Sequence, residues 1–377
     1  MTTVYEDPGT GPRLHAFVVG VGHYPHRARA AGDELFGGFL DSLDPVSTAP
    51  ASAAAVASWL IGTRRTDPVT PLGSVELLLS WPGMGFANQP VEGADRDAFG
   101  AAFDRWYARC DADPDNVALF YFCGHGCELG DQLLLLEDFG HSPLNPFPHA
   151  VNLRRLHLGM RRCRARTQCF LVDACRSVPY ELLALDEAVG WAPVTQVREP
   201  RPHGYTRDAP ILFSTAAGLP AHGEAGRPTA FTRAVLDVLD GLGAHRRVDG
   251  AWQVCTGRLA LHVQDLLEWR GVDVQVVPGG ETTTKGVLRT LPGPPEVPFE
   301  VCCDPVAALP SADLALLGDD AVEVRRRPPA PSVWCDQVAA GAYALRATFL
   351  DEAYHDTAVL RAFLPPVARH WVPVEKR

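Results

Sequence analysis

Six apolar runs of strand length, near 14–21, 74–80, 117–123, 168–173, 211–215 and 272–277, alternate with stretches patterned at helical spacing. That alternation constrains the fold more than any other feature of the chain. Parallel strands need a long crossover, usually a helix, so repeated strand–helix–strand units imply a mainly parallel sheet with helices over its faces. Helices are expected at 51–65, 95–110, 153–164, 229–242 and 257–270. Val56, Trp59 and Leu60, and likewise Phe99, Phe103, Trp106 and Tyr107, recur at the spacing of one apolar helix face. These aromatics read as core rather than as a binding surface.

Two of the runs end in reactive groups. One is Asn116-Val-Ala-Leu-Phe-Tyr-Phe-Cys-Gly-His125-Gly126, the other Thr167-Gln-Cys-Phe-Leu-Val-Asp173-Ala-Cys175-Arg-Ser177. An open parallel sheet gathers its functional groups at the carboxyl ends of the strands, so these two ends can converge. Cysteine with histidine is the minimal unit for covalent cysteine catalysis. Cys175 is the candidate nucleophile, because a thiolate attacks a carbonyl far better than a thiol does. His125 is the candidate acid–base partner. Either residue alone reads more simply as core; the pairing at two strand ends carries the catalytic reading.

Four stretches, in order, carry a family resemblance: Leu14-His-Ala-Phe-Val-Val-Gly-Val-Gly-His-Tyr24, Phe122-Cys-Gly-His-Gly126, Val172-Asp-Ala-Cys-Arg-Ser177, and Ile211-Leu-Phe-Ser-Thr-Ala-Ala-Gly218 followed by Thr229-Ala-Phe-Thr-Arg233. The histidine lies 175 − 125 = 50 residues before the cysteine. Over roughly 13–290 the chain resembles the caspase-like cysteine peptidases, the clan of caspases, paracaspases and metacaspases, and looks most like a bacterial member. The resemblance implies a three-layer αβα sandwich on a mainly parallel six-stranded sheet. It implies an endopeptidase with a Cys175–His125 dyad and an oxyanion hole of the Gly126 and Cys175 backbone N–H groups. Glycine suits that place, since the substrate carbonyl must come close to the backbone. By the same resemblance Ser214 and Thr215 end the strand that pairs with the substrate backbone. The wider role implied is a regulated effector in bacterial signalling or defence.

Asp173 bears on the substrate class. Caspases proper have Gln-Ala-Cys-Arg-Gly where this chain has Asp-Ala-Cys-Arg-Ser. On a strand, residue i−2 points to the same side as Cys175. A carboxylate there attracts Arg or Lys before the cut and repels Asp. Metacaspases and paracaspases carry Asp at this position and cut after basic residues. The plainer reading is an Asp capping the next turn. Cys123, two residues before His125, and Asp33, in the loop after the first strand, are further candidates for the same pocket. The expected substrates are proteins or peptides with Arg or Lys before the cut. The long loop 177–208 offers Arg198, Arg201 and Arg207 as self-cleavage sites.

Cys123-Gly-His125-Gly-Cys127 lacks the paired loops of a structural zinc site, so no metal site is expected there. Calcium, which the resemblance associates with clustered carboxylates, stays open as a cofactor, and no EF-hand loop accompanies it. A net charge of −11 argues against nucleic acid and anionic membranes as partners. Arg154, Arg155, Arg161, Arg162, Arg164 and Arg166 then read as a solvated helix face. No apolar run reaches the ~18 residues that cross a bilayer. The acidic start Met1-Thr-Thr-Val-Tyr-Glu-Asp-Pro is not a secretory signal. Ten scattered cysteines, several within apolar runs, point to buried thiols and a cytoplasmic location.

A peptidase domain is expected over 1–290, a stiff Pro-rich linker over 291–298 and a small β-rich domain over 299–377. Period-2 alternation at Tyr343, Leu345 and Ala347 makes the last domain similar to a prealbumin-like or immunoglobulin-like sandwich, suited to docking a regulatory protein. The competing functional reading is a catalytically weak or silent scaffold of the same fold that binds partner proteins. Retention of both Cys175 and His125 weighs against it.

Overall fold

The computed structural model describes residues 2–27, 37–142, 144–178, 189–196, 207–215, 224–282, 286–350 and 353–377. The chain divides into one unit of Met1–Leu236 with Cys255–Thr290 and a second of Asp237–Val254 with Leu291–Arg377.

The first unit is built on seven strands: β1 (Thr3–Glu6), β2 (Leu14–Val21), β3 (Leu72–Ser80), β4 (Val117–Gly124), β5 (Thr167–Ala174), β6 (Ala209–Phe213) and β7 (Val277–Glu281). Their spatial order is β1-β3-β2-β4-β5-β6-β7. The five central strands run parallel and the two edges antiparallel. The sheet therefore has seven strands rather than the six read from the sequence. The additional one, β1, is four residues long and only half-buried, so it makes no continuous apolar run. The last strand also begins later than 272–277. Gly271 adopts φ +68° and the Val272 N–H returns to Leu267 O at 3.0 Å, which closes the preceding helix first.

Both faces of the sheet are covered, and every residue of β2 and β3 is buried, as parallel strands between two helical layers require. Among the described residues the α-helices of seven or more residues are α1 (Thr48–Thr63), α2 (Arg96–Cys110), α3 (Leu153–Gly159), α4 (Ala230–Asp237) and α5 (Thr256–Trp269). Phe17, Phe120 and Phe170 are register partners across β2, β4 and β5, so their side chains share one face. There they meet α2, with the Phe17 and Phe99 centroids 4.9 Å apart and the Trp106 indole N–H donating to His15 O at 3.0 Å. Asp95 starts α2 by accepting the Ala98 N–H at 2.8 Å. α3 lies on the same face, with His157 edge-on to Phe170 at 5.0 Å. Residues one step along the pleat face the other way, where the Tyr121 hydroxyl meets Thr232 Oγ1 at 2.6 Å. On that side a Cβ at Gly20 would stand 2.7 Å from Ala53 Cβ and 2.8 Å from Ala49 O, so glycine lets α1 lie against the sheet. The result is a three-layer αβα sandwich.

The second unit contains β8 (Glu296–Asp304), β9 (Ala312–Leu317), β10 (Glu323–Arg327), β11 (Trp334–Ala339), β12 (Gly341–Phe349), β13 (Thr357–Phe363) and β14 (Ala368–Pro373). They form a three-stranded sheet, β11-β8-β14, and a four-stranded one, β10-β9-β12-β13. Val297, Phe299, Val301 and Cys303 alternate inward from β8. Phe299 packs edge-on to Trp334 at 5.1 Å and to Phe363 of the other sheet at 5.2 Å, so the two sheets share a core as a sandwich. The strand β8 begins at Glu296, within the Pro-rich stretch 291–298.

Candidate active site

Strands β4 and β5 are parallel neighbours with unbroken register from Val117 opposite Thr167 to Gly124 opposite Ala174. His125 and Cys175 are each the first residue past the last pair, on strands about 4.8 Å apart. Fifty positions of sequence are thus closed by one crossover. Both residues are half-buried.

Three contacts fix His125. Its N–H donates to the Tyr24 hydroxyl at 2.9 Å, and the Tyr24 ring centroid lies 5.1 Å from the imidazole. The Tyr24 hydroxyl donates onward to Val21 O at 3.3 Å. The imidazole Nε2 lies 2.7 Å from Asp44 O. A carbonyl only accepts, so Nε2 carries the proton and Nδ1 has the lone pair of a base. The loop bearing Asp44 is held by Val46 N–H to Gly22 O at 2.8 Å and by Arg27 Nη1 to Leu43 O at 3.3 Å. Burial lowers the His125 pKa, and the Asp44 carbonyl partly opposes that shift.

Gly126 opens a hairpin of Gly126–Leu129 and Asp131–Leu135. A Cβ on Gly126 would stand 2.6 Å from Gln132 Nε2, 2.8 Å from Cys175 O and 3.0 Å from Leu133 O. Only glycine fits so close to the Cys175 backbone.

Asp173 lies opposite Cys123 and is 3% exposed. Its Oδ2 accepts from the Thr229 hydroxyl and from the Thr232 hydroxyl, the latter at 2.8 Å. Thr229 caps α4 by accepting the Thr232 N–H at 3.0 Å. Burial raises the Asp173 pKa, while the hydroxyls of Thr229, Thr232 and Ser214 and the Cys123 thiol favour its charged form. Burial, and then Asp173, push the Cys123 thiol pKa up. Ser214 and Thr215 are both buried, and the Ser214 N–H donates to Val172 O at 3.0 Å. The structure thus brings together Asp173, Cys123 and Ser214 on one side, and His125, Gly126 and Cys175 at the strand ends.

Asp33, Arg198 and Arg201 lie outside the described residues. Arg207 donates to Gln168 Oε1 at 2.7 Å. Cys127 is fully buried, with burial pushing its pKa up to about 12. Among the described residues no three His, Cys, Asp or Glu side chains are grouped to hold a metal ion. Also among the described residues, no helix is long and apolar enough to cross a membrane.

Sequence reasoning missed the roles of Tyr24, Asp44, Thr229 and Thr232. Thr229 carries a signal, a hydroxyl residue just before a helical pattern. Asp44 acts through its main-chain carbonyl, which leaves no mark in residue type.

His125 and Cys175 thus follow neighbouring strand ends of an open parallel sheet, with Gly126 against the Cys175 backbone. A family model for the caspase domain matches residues 64–268, more than half of the chain, and the chain belongs to that family. A curated bacterial relative, "Uncharacterized protein y4kE" of Sinorhizobium fredii, is 25% identical over 178 residues, 45% of this chain and 48% of the relative. The chain spans about half the length of that curated relative. The crystal structure of caspase-1 from Spodoptera frugiperda aligns with a TM-score of 0.44 at 13% identity, covering 75% of this chain and 91% of that one. The structure of pro-sf-caspase-1 aligns at 0.41 and 13%, covering 75% and 92%.

Proposed function

We propose that this protein is a cysteine endopeptidase that cuts proteins after Arg or Lys, acting in the cytoplasm as a regulated effector in bacterial signalling or defence. The carrying observation is the register of β4 and β5, which sets His125 and Cys175 side by side with Gly126 against the Cys175 backbone. His125 Nδ1 takes the Cys175 proton. The thiolate adds to the scissile carbonyl, and the developing oxyanion is met by the N–H groups of Gly126 and Cys175. The imidazolium returns the proton to the leaving amine, and water then releases the acyl group from sulfur by the reverse sequence. Asp173, with Cys123 and Asp33, receives the cationic side chain before the cut, and Ser214 and Thr215 receive the substrate backbone. The C-terminal sandwich docks a regulatory protein, and calcium is the cofactor to test.

The enclosure of Asp173 by Thr229 and Thr232 favours a second reading, in which the carboxylate ties β5 to α4 in a silent scaffold that binds partner proteins. Hydrolysis of fluorogenic peptides ending in Arg, Lys or Asp, by wild type and Cys175→Ala with and without calcium, separates the two. Cys175-dependent turnover after Arg or Lys is expected. Turnover after Asp alone would overturn the specificity, and no turnover in any condition would leave the scaffold.

A further inference from the structure

Three links join the hairpin after His125 to the loop that carries Cys175. Glu128 holds Arg176 through a two-point ion pair, with Arg176 Nε to Glu128 Oε2 at 3.0 Å and Nη2 to Oε1 at 3.1 Å. The Glu128 N–H donates to Ser177 O at 3.0 Å. Gln132 Nε2, from the second strand of the hairpin, donates to Cys175 O at 3.0 Å. The planar fork of Arg176 also lies over the Phe213 ring at 4.3 Å, which sets its orientation from β6.

Peptide geometry gives these links a consequence. The carbonyl that Gln132 grips belongs to Cys175, and Gly126 sits against the same atom. Holding that carbonyl fixes the plane of the Cys175–Arg176 peptide, which is joined through the Cys175 φ and ψ to the Ala174–Cys175 peptide that carries the Cys175 N–H, and the ion pair fixes the next residue. The distance and angle between the Gly126 and Cys175 N–H groups then depend on the hairpin. We infer that Glu128, Gln132 and Arg176 are positioning residues, a clamp that sets the two backbone donors of the oxyanion hole at the spacing an oxyanion needs. This rests on the cysteine-peptidase reading. The clamp's bonds run to the Cys175 and Ser177 carbonyls and to Arg176, so it acts on transition-state stabilisation through the backbone. The ion pair is partly exposed, with side chains 13% and 23% accessible, and it lines a cavity of about 390 Å³, so substitutions there meet open space.

The test uses the full chain carrying Glu128→Gln, Gln132→Met, Arg176→Lys, or the swap Glu128→Arg with Arg176→Glu. Steady-state kinetics on an Arg-ended fluorogenic peptide is read beside the alkylation rate of Cys175 by iodoacetamide, which needs the thiolate but no oxyanion hole. Amide hydrogen exchange over 124–135 and 173–177 is measured in the same samples. Removing a whole oxyanion donor costs about 10²–10³ in kcat, so loss of one clamp link should cost about 10-fold. KM and the alkylation rate should stay within about twofold of wild type, and exchange should quicken in both segments. Arg176→Lys keeps the charge but loses the fork and should be impaired, whereas the swap should recover part of kcat. Unchanged kcat, or alkylation falling in step with kcat, overturns the clamp. If wild type turns over no peptide, the peptidase reading fails and the oxyanion role of the clamp falls with it, whereas turnover with unchanged exchange at 173–177 in Glu128→Gln and Gln132→Met overturns the clamp alone.

Discussion

Replacing Gly126 by alanine asks whether the two catalytic loops have room to separate. The added Cβ would meet Cys175 O at 2.8 Å and Leu133 O at 3.0 Å, where ordinary contact is 3.4 Å or more. The backbone must open by roughly half an ångström between hairpin and cysteine loop, because neither carbonyl can rotate away. Overpacking of this kind costs about 1–3 kcal/mol. The Gln132 side chain, at 2.6 Å, can swing aside but then gives up its bond to Cys175 O, about 1 kcal/mol more. Gly126 has no positive φ, so the effect is steric overlap rather than backbone strain. Urea denaturation should therefore show a loss of about 2–4 kcal/mol, within reach of a domain stable by 5–15 kcal/mol. A misplacement of 1 Å at a reacting centre costs about 10²-fold, so half of that predicts kcat lowered about 10-fold at similar KM. Alanine at 126 with wild-type kcat and wild-type denaturation midpoint would refute the close approach of the two loops.

Three further outcomes follow from the same contacts. Asp173→Asn should lower the preference for Arg over citrulline peptides about 10- to 100-fold, the effect of losing a charge-assisted hydrogen bond of about 1.5–3 kcal/mol, measured as a ratio of kcat/KM values. Tyr24→Phe keeps the ring against His125 but strands the His125 N–H, so it should cost about 1–3 kcal/mol in thermal or urea unfolding and lower kcat more than KM changes. Burial disfavours the His125 imidazolium, so its neutral, basic form persists to lower pH than in an ordinary histidine. The acid limb of kcat/KM should accordingly have its midpoint below the ordinary imidazole value of about 6.5.

Much of the fold was legible in residue pattern. The apolar runs at β2, β4 and β5 are buried on both faces, so they read as continuous strands, and the Phe99, Phe103 and Trp106 stripe of α2 meets the sheet as its spacing implies. The edges were harder to see, because an edge strand buries little. β1 is a half-buried four-residue pairing, and β7 contains Pro278 and two glycines. Cys175 and His125 were readable because each ends an apolar run. What orients them was not, since it comes from the Asp44 carbonyl, the Tyr24 hydroxyl 101 residues before His125, and the Gln132 amide. Such contacts depend on tertiary geometry rather than on local pattern. The hydroxyls around Asp173 are an intermediate case. Thr229 announces a helix start, but only the packing of α4 on the sheet turns it toward the carboxylate.

The central claim is that Cys175 attacks carbonyl groups that follow a basic side chain. It is tested most directly with two thiol-reactive peptide probes identical except for a terminal arginyl or aspartyl residue, with the labelled peptide located by mass spectrometry. An adduct on Cys175 from the arginyl probe is expected, with much weaker labelling by the aspartyl probe and none in His125→Ala at the same pH. Labelling of another cysteine, equal labelling by both probes, or an aspartyl preference would contradict it.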